Sequence, residues 1–127
     1  MIAAHALYEN DYAIFWIESG ILFFKYKSDV IINLDVAKQV VAARIQFQND
    51  KSYPVLCDTR GIIETDKAGR DYLAQSGSLL TKAVGLLVHQ RVSITISTFY
   101  MQISKPTVPT ELFTGEADAI NFLKQYL

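Results

Sequence analysis

The chain has 127 residues, half of them apolar, and a formal net charge of −1 with acidic and basic residues interspersed. This length suits one domain over residues 1–127, and the balanced charge argues against binding of nucleic acid or of an anionic membrane surface. No apolar run approaches the ~18 residues of a membrane span, and the N-terminus lacks a signal-peptide pattern. We therefore expect a cytoplasmic protein with no integral membrane segment.

The N-terminal part of the sequence predicts β-structure. Residues 12–19 and 21–26 are rich in aromatic and β-branched residues and flank Gly20, which indicates a tight antiparallel hairpin. The short run Val30–Ile32 is a further strand candidate.

The clearest helix follows Asn33, whose side chain can cap it. One apolar stripe, at spacings of three and four residues, is predicted to face the sheet, with Lys38 and Arg44 flanking it. The stripe comprises Leu34, Ala37, Val40, Val41, Ile45 and Gln48.

The next segments alternate between strand and helix patterns. Residues 53–58 contain the apolar run Val55–Cys57, and residues 83–88 are a second, continuous apolar run; both are typical of buried parallel strands. Between them, residues 64–75 predict a helix that begins just past Gly61 and turns Ala68, Tyr72 and Leu73 inward.

The C-terminal part continues this alternation. Residues 92–103 fit either a strand or a helix, and we favour a helix because parallel strands need a crossover connection. Residues 111–113 predict an edge strand, and residues 116–127 a last helix capped by Thr114. The fold class is therefore α/β, with a central mixed, mostly parallel sheet of about five strands, about four helices and an N-terminal hairpin.

The most informative segment is residues 53–61, YPVLCDTRG, in which a buried strand delivers a polar turn. Asp58, Thr59, Arg60 and Gly61 follow the strand directly. Ligands and regulatory chemistry in open α/β sheets gather at the carboxyl ends of the strands. These four residues are thus the candidate binding loop for a partner or ligand.

Four stretches, VLCDTRG, KAVGLLV, ISKPTVPTELFT and EADAINFLKQYL, resemble the SpoIIAA-like (STAS) fold of anti-sigma factor antagonists, and more closely the bacterial STAS/SEC14 domain proteins. The resemblance covers about the whole chain. It implies a non-enzymatic regulatory module that docks a protein partner, such as a regulatory kinase or an anti-sigma-like factor, through the turn and the helix after it.

The antagonists carry a turn of the form Asp-Ser-Ser-Gly before a helix, and its second serine is phosphorylated. Asp58 and Gly61 match this turn, Thr59 replaces the first serine and Arg60 stands at the phosphorylated position. Arginine cannot take that phosphate, so a family-type switch requires phosphorylation of Thr59 instead. A phosphate there would lie near Arg60 and a helix N-terminus, which is electrostatically favourable.

Plainer roles stand beside each candidate. Asp58 can simply accept backbone N–H bonds in the turn, and Arg60 can be an ordinary surface arginine. A Cys57–His89 catalytic dyad lacks a third orienting residue, so a core cysteine and a surface histidine are favoured. With His5 they do not form a zinc-binding pattern. We expect no catalytic residue, no metal and no cofactor.

The alternative function is that of a carrier of a small apolar or lipid ligand, held between the sheet and the helix at residues 92–103. The hairpin aromatics can line such a pocket or simply cover the helices. Thr98, Tyr100, Met101 and Gln102 give the 92–103 segment a mixed surface, so a homodimer is also open. The hairpin aromatics are Phe15, Phe23, Phe24 and Tyr26.

Overall fold

The computed structural model describes residues 7–89 and 106–127. The predicted helix at residues 92–103 lies outside these residues. Short 3-10 turns follow the second and third helices, at Ser76–Ser78 and Lys124–Tyr126. The strands and helices are, in chain order, β1 Leu7–Glu9, β2 Ala13–Glu18, β3 Ile21–Tyr26, β4 Val30–Ile32, α1 Leu34–Gln48, β5 Tyr53–Asp58, β6 Ile62–Thr65, α2 Lys67–Gln75, β7 Thr81–Leu87, β8 Thr110–Phe113 and α3 Glu116–Leu123.

The predicted mixed central sheet is confirmed, with six strands in the order β1-β2-β3-β5-β7-β8. The pairs β1/β2 and β2/β3 are antiparallel, whereas β3/β5, β5/β7 and β7/β8 are parallel. The sequence did not predict the short edge strand β1. Val30–Ile32 is a strand as predicted, but it pairs with β6 in a separate two-stranded sheet.

The predicted hairpin is formed by β2 and β3, which place Glu18 opposite Ile21 and Trp16 opposite Phe23. Its two-residue loop, Ser19 and Gly20, has φ values of 53° and 80°. Both values are left-handed, as a type I′ turn requires, and the twist of that turn matches the twist of the strands. The hairpin therefore has a fixed register.

Helix α1 begins as predicted, because the Asn33 side chain accepts a hydrogen bond from the Val36 N–H at 2.9 Å. The predicted inward stripe is wrong at two positions, since Leu34 is exposed and Arg44 is buried instead of flanking. Arg44 lies three residues after Val41 and four before Gln48, so all three share one face of the helix. The buried face thus ends in two polar side chains.

The predicted start of the second helix is wrong. Residues 62–65 form strand β6, because the nearby backbone of β4 offers them a parallel partner. Helix α2 starts only at Lys67, where the Asp66 side chain accepts a hydrogen bond from the Gly69 N–H at 2.7 Å. Ala68, predicted to point inward, is exposed.

The last helix is shorter than predicted, and Gly115, not Thr114, is its N-cap residue. Ala119 and Leu123 are buried as predicted, whereas Leu127 is exposed. No helix of the described ranges is long and apolar enough to cross a membrane.

The sheet carries a hydrophobic core on each face. On one face, Phe15, Phe24 and Val55 pack with α1, and Tyr72 and Leu73 of α2 lie against them. On the other face, Leu56 and Leu87 pack with Ala119 and Leu123 of α3. Alternate residues of each strand point to opposite faces, so neighbouring positions at the end of β5 serve different cores.

Candidate functional site

The loop of residues 58–61, here the 58–61 loop, is fixed to the neighbouring strand. The Thr59 backbone N–H and the Thr59 Oγ1 both donate to the Leu87 carbonyl, at 3.0 and 2.9 Å. The Ile62 N–H closes the turn by donating to the Thr59 carbonyl at 3.0 Å. The loop thus has a defined backbone position at the carboxyl ends of β5 and β7.

Asp58 and Arg60 form a two-pronged ion pair inside this loop. Arg60 Nε lies 2.9 Å from Asp58 Oδ1, Arg60 Nη2 lies 2.8 Å from Oδ2, and the Arg60 backbone N–H also donates to Oδ1 at 3.1 Å. Burial alone would raise the pKa of the Asp58 carboxyl, but the hydrogen bonds from Arg60 outweigh it and the pKa is lowered. The same hydrogen bonds raise the pKa of Arg60.

Gly61 closes the loop because no side chain fits at its position. A Cβ there would collide with the Lys27 carbonyl, which is backbone and cannot rotate away. The Gly61 carbonyl accepts a hydrogen bond from the Val30 N–H at 3.0 Å. Glycine is therefore needed for the close approach of two backbone segments.

Arg60 projects onto the α3 side of the sheet, where it borders a cavity of about 160 Å³. The floor of this cavity includes Trp16 and Phe23, whose rings stack with centroids 5.4 Å apart and are only partly buried. Lys25 acts electrostatically on Asp58, and Glu116 acts on Arg60. We call this region the edge surface; it comprises Trp16, Phe23, Lys25, Asp58, Arg60 and Glu116.

A second cavity, of about 110 Å³, lies on the opposite face between the sheet and helices α1 and α2. We call it the α1–α2 cavity. Thr59 reaches it, so the 58–61 loop contributes to both sides of the sheet. The described residues that line the cavity are Phe24, Tyr26, Val40, Val41, Arg44, Val55, Cys57, Thr59, Ile62, Arg70, Leu73, Gly77, Ser78, Thr81, Val84 and Leu86.

Arg44 is the most deeply buried charged group of this cavity, with only 4 % of its surface exposed. Its guanidinium donates to the Gln48 Oε1 and, at 2.9 Å, to the Gly77 carbonyl. Burial lowers the pKa of Arg44, while Tyr26 and Cys57 act in the opposite direction. Both protein partners are uncharged acceptors, and within the described ranges Arg44 forms no ion pair.

Cys57 and His89 do not form a dyad. Burial raises the pKa of the Cys57 thiol to about 12, so the reactive thiolate is scarce at neutral pH. His89 is exposed, and its Nε2 lies 3.2 Å from the Arg60 carbonyl instead. No cluster of potential metal ligands occurs among residues 7–89 and 106–127.

The structure separates several residues that the sequence grouped together. Asp58 and Arg60 meet on the edge surface, whereas Thr59 faces the α1–α2 cavity, and β6 separates Thr59 in sequence from the start of α2. The hairpin aromatics are also divided, with Phe23 on the α3 side and Phe15, Phe24 and Tyr26 in the core under α1.

Sequence reasoning missed Arg44 and Arg70 as cavity residues. A signal was present for Arg44, since Gln48 was already assigned to the buried face and Arg44 precedes it by one helical turn. For Arg70 the wrong helix start hid the signal, because its Nη1 binds the carbonyl and hydroxyl of Thr65 in the strand that was not predicted.

The overall architecture is similar to a crystal structure of an uncharacterised protein of the DUF3478 family, with a SpoIIAA-like fold, from Shewanella loihica PV-4. The TM-score is 0.55 at 12 % sequence identity, and the match covers 94 % of this chain and 92 % of the other. A comparison with curated proteins finds no match. The predicted resemblance to the SpoIIAA-like fold is thereby confirmed.

The family model described as Domain of unknown function (DUF7793) matches residues 15–127. This match includes both cavities and the 58–61 loop, and it leaves out only the N-terminal residues that precede Phe15. The chain therefore belongs to the DUF7793 family and has a SpoIIAA-like α/β fold.

Proposed function

We propose that this chain is a non-enzymatic interaction module that docks a protein partner on the edge surface, with the 58–61 loop at its centre. The observation that carries the proposal is the juxtaposition of a partly exposed Trp16–Phe23 stack with the Asp58–Arg60 pair. Tryptophan, tyrosine and arginine are the residues that most often dominate the energy of protein interfaces.

The rigidity of the loop supports the same function. Thr59 is hydrogen-bonded to β7, Arg60 to Asp58, and Gly61 to Val30, the first residue of β4. A loop that is already ordered loses little conformational entropy when a partner binds. The Arg60 side chain, which is 43 % exposed, is thus held in one position on the edge surface.

The charges of the edge surface favour a partner with charges of both signs. Lys25 and Arg60 can each face a carboxylate, and Glu116 can face a cation. A regulatory kinase or an anti-sigma-like factor fits the family resemblance as such a partner. The single cysteine, Cys57, suits a reducing compartment, and we place the module in the cytoplasm.

The test is affinity capture from cells that naturally express the protein, followed by identification of the captured protein. Arg60→Ala and Trp16→Ala should each abolish capture, while Lys38→Ala, on the exposed side of α1, should leave it unchanged. Circular dichroism must first show that all three variants are folded. Equal capture by the Arg60 and Lys38 variants would refute docking on the edge surface.

Phosphorylation of Thr59 is a subordinate proposal. A phosphate would replace the hydroxyl hydrogen that donates to the Leu87 carbonyl, so the loop would lose one of its two bonds to β7. Intact-mass analysis of the protein from its own cells, with the phosphate mapped by fragmentation, tests it. A bare mass under every growth condition would remove Thr59 from the account.

The α1–α2 cavity favours a second function, that of a carrier or sensor of a small apolar ligand. Its lining is mainly aliphatic and aromatic, which is the usual character of small-molecule sites. The described residues that line it come from the sheet, α1, α2 and the connections around them. The helix at residues 92–103, which the sequence-based prediction placed against such a ligand, lies outside the described residues. Native mass spectrometry that finds no bound small molecule in freshly isolated protein would count against it.

A further inference from the structure

The α1–α2 cavity combines an apolar wall with arginine. Val40, Val55, Val84 and Leu86 supply apolar surface, whereas Arg44 and Arg70 bring two positive charges. None of the described residues that line the cavity is an aspartate or a glutamate. The lining is therefore amphipathic, and its charge is of one sign.

Among residues 7–89 and 106–127, no acidic side chain forms an ion pair with Arg44. Its two protein acceptors, Gln48 and Gly77, are neutral, and they engage two of the five N–H donors of the guanidinium. A buried charge is normally paired with an opposite charge, because an ion that leaves water without such a partner loses its hydration with no compensation. The environment of Arg44 thus calls for an anion.

We propose that the α1–α2 cavity binds a small amphipathic carboxylate, with its carboxylate at Arg44 and Arg70 and its apolar body against the sheet. Arginine forks bind carboxylates with two parallel hydrogen bonds. A cavity of roughly 150 Å³ accepts one benzene ring of six carbons. The smaller volume of about 110 Å³ here suits a carboxylate with about three or four carbons in all. This inference rests on the proposed carrier function and is independent of docking on the edge surface.

The test uses butanoate and its neutral analogue butanamide as probes, titrated into the full chain by isothermal calorimetry. Butanoate should bind at least about tenfold more tightly than butanamide, because a charged acceptor strengthens the hydrogen bonds from arginine. Arg70→Gln and Arg44→Gln should each weaken binding of butanoate and leave the affinity for butanamide within about twofold. Val84→Phe, which fills the cavity, should abolish binding of both probes.

The outcomes separate the two claims. If butanoate and butanamide bind the wild-type chain equally, the carboxylate inference is overturned while the carrier function stands. If neither probe binds at millimolar concentration, both fall. Arg44 also joins α1 to Gly77, so Arg44→Gln is interpreted only if this variant unfolds cooperatively. If it does not, Arg70→Gln and the two wild-type titrations decide between these outcomes.

Discussion

Gly61 is the residue on which the geometry of the loop depends most directly. Gly61→Ala should lower the free energy of unfolding by about 1–3 kcal/mol, because the new methyl group collides with the Lys27 carbonyl. Gly85→Ala is the matched control, since a Cβ there would meet Ala119 and Leu123 at ordinary contact distances of 3.5 and 3.6 Å. Urea unfolding of both variants checks this, and equal losses of stability would contradict the steric argument.

Asp58 makes the stability of the protein depend on acidity. Its folded-state pKa lies below the ordinary value of about 3.9, so its contribution is fully present above that value and is lost as the pH falls through the folded-state pKa. Asp58→Asn should therefore be less stable than the wild type at pH 7, and the difference should shrink towards pH 3. Denaturant unfolding at several pH values checks this; a difference that stays constant with pH would contradict it.

At the scale of single residues, the sequence located the loop but not its internal contacts. Asp58, Arg60 and Gly61 follow an apolar run, and this pattern is evident in residues 53–61 of the sequence alone. Thr59 is hydrogen-bonded to Leu87, and Gly61 lies so close to Lys27 that no side chain fits; both contacts join residues far apart in sequence. No local pattern encodes such pairs.

At the scale of elements, Gln48 connects α1 to the residue that precedes β7. Its Nε2 donates to the Lys51 carbonyl at 2.9 Å and to the Leu80 carbonyl at 2.8 Å. Gln48→Met should cost about 1–3 kcal/mol, because it removes these two bonds and the side-chain oxygen that accepts from the buried Arg44 guanidinium. Gln46→Met, on the exposed side of the same helix, should change stability by less than about 0.5 kcal/mol. Thermal unfolding of both variants checks this, and equal stabilities would show that the hydrogen bonds of Gln48 do not stabilise the fold.

The elements that sequence analysis predicted well are those with strong local signals. The hairpin has Gly20 between two β-prone runs, and α1 has Asn33 as its cap. Strand β6 was mistaken for part of a helix because Glu64 and Thr65 are polar and exposed or half-buried, and its pairing with β4 is not local. The edge strand β1 is short and wholly exposed, so it shows no alternation.

At the scale of the whole molecule, the sheet divides the protein into two sides with different chemistry. The α3 side carries the edge surface, with its aromatic stack and paired charges, and the α1–α2 side carries an apolar cavity with buried arginine. The 58–61 loop belongs to both sides, since Arg60 lies on the first and Thr59 on the second. Alternation along an extended chain produces this division directly.

Site-specific photo-crosslinking in living cells tests docking on the edge surface most directly. A benzophenone amino acid at position 23 keeps an aromatic ring in place of Phe23, and the same group at exposed Leu79, beside the amino end of β7, is the control. We expect one discrete crosslinked protein from position 23, none of the same mass from position 79, and loss of the first when Arg60→Ala is added. An adduct that survives Arg60→Ala, or the same adducts from both positions, would contradict the account.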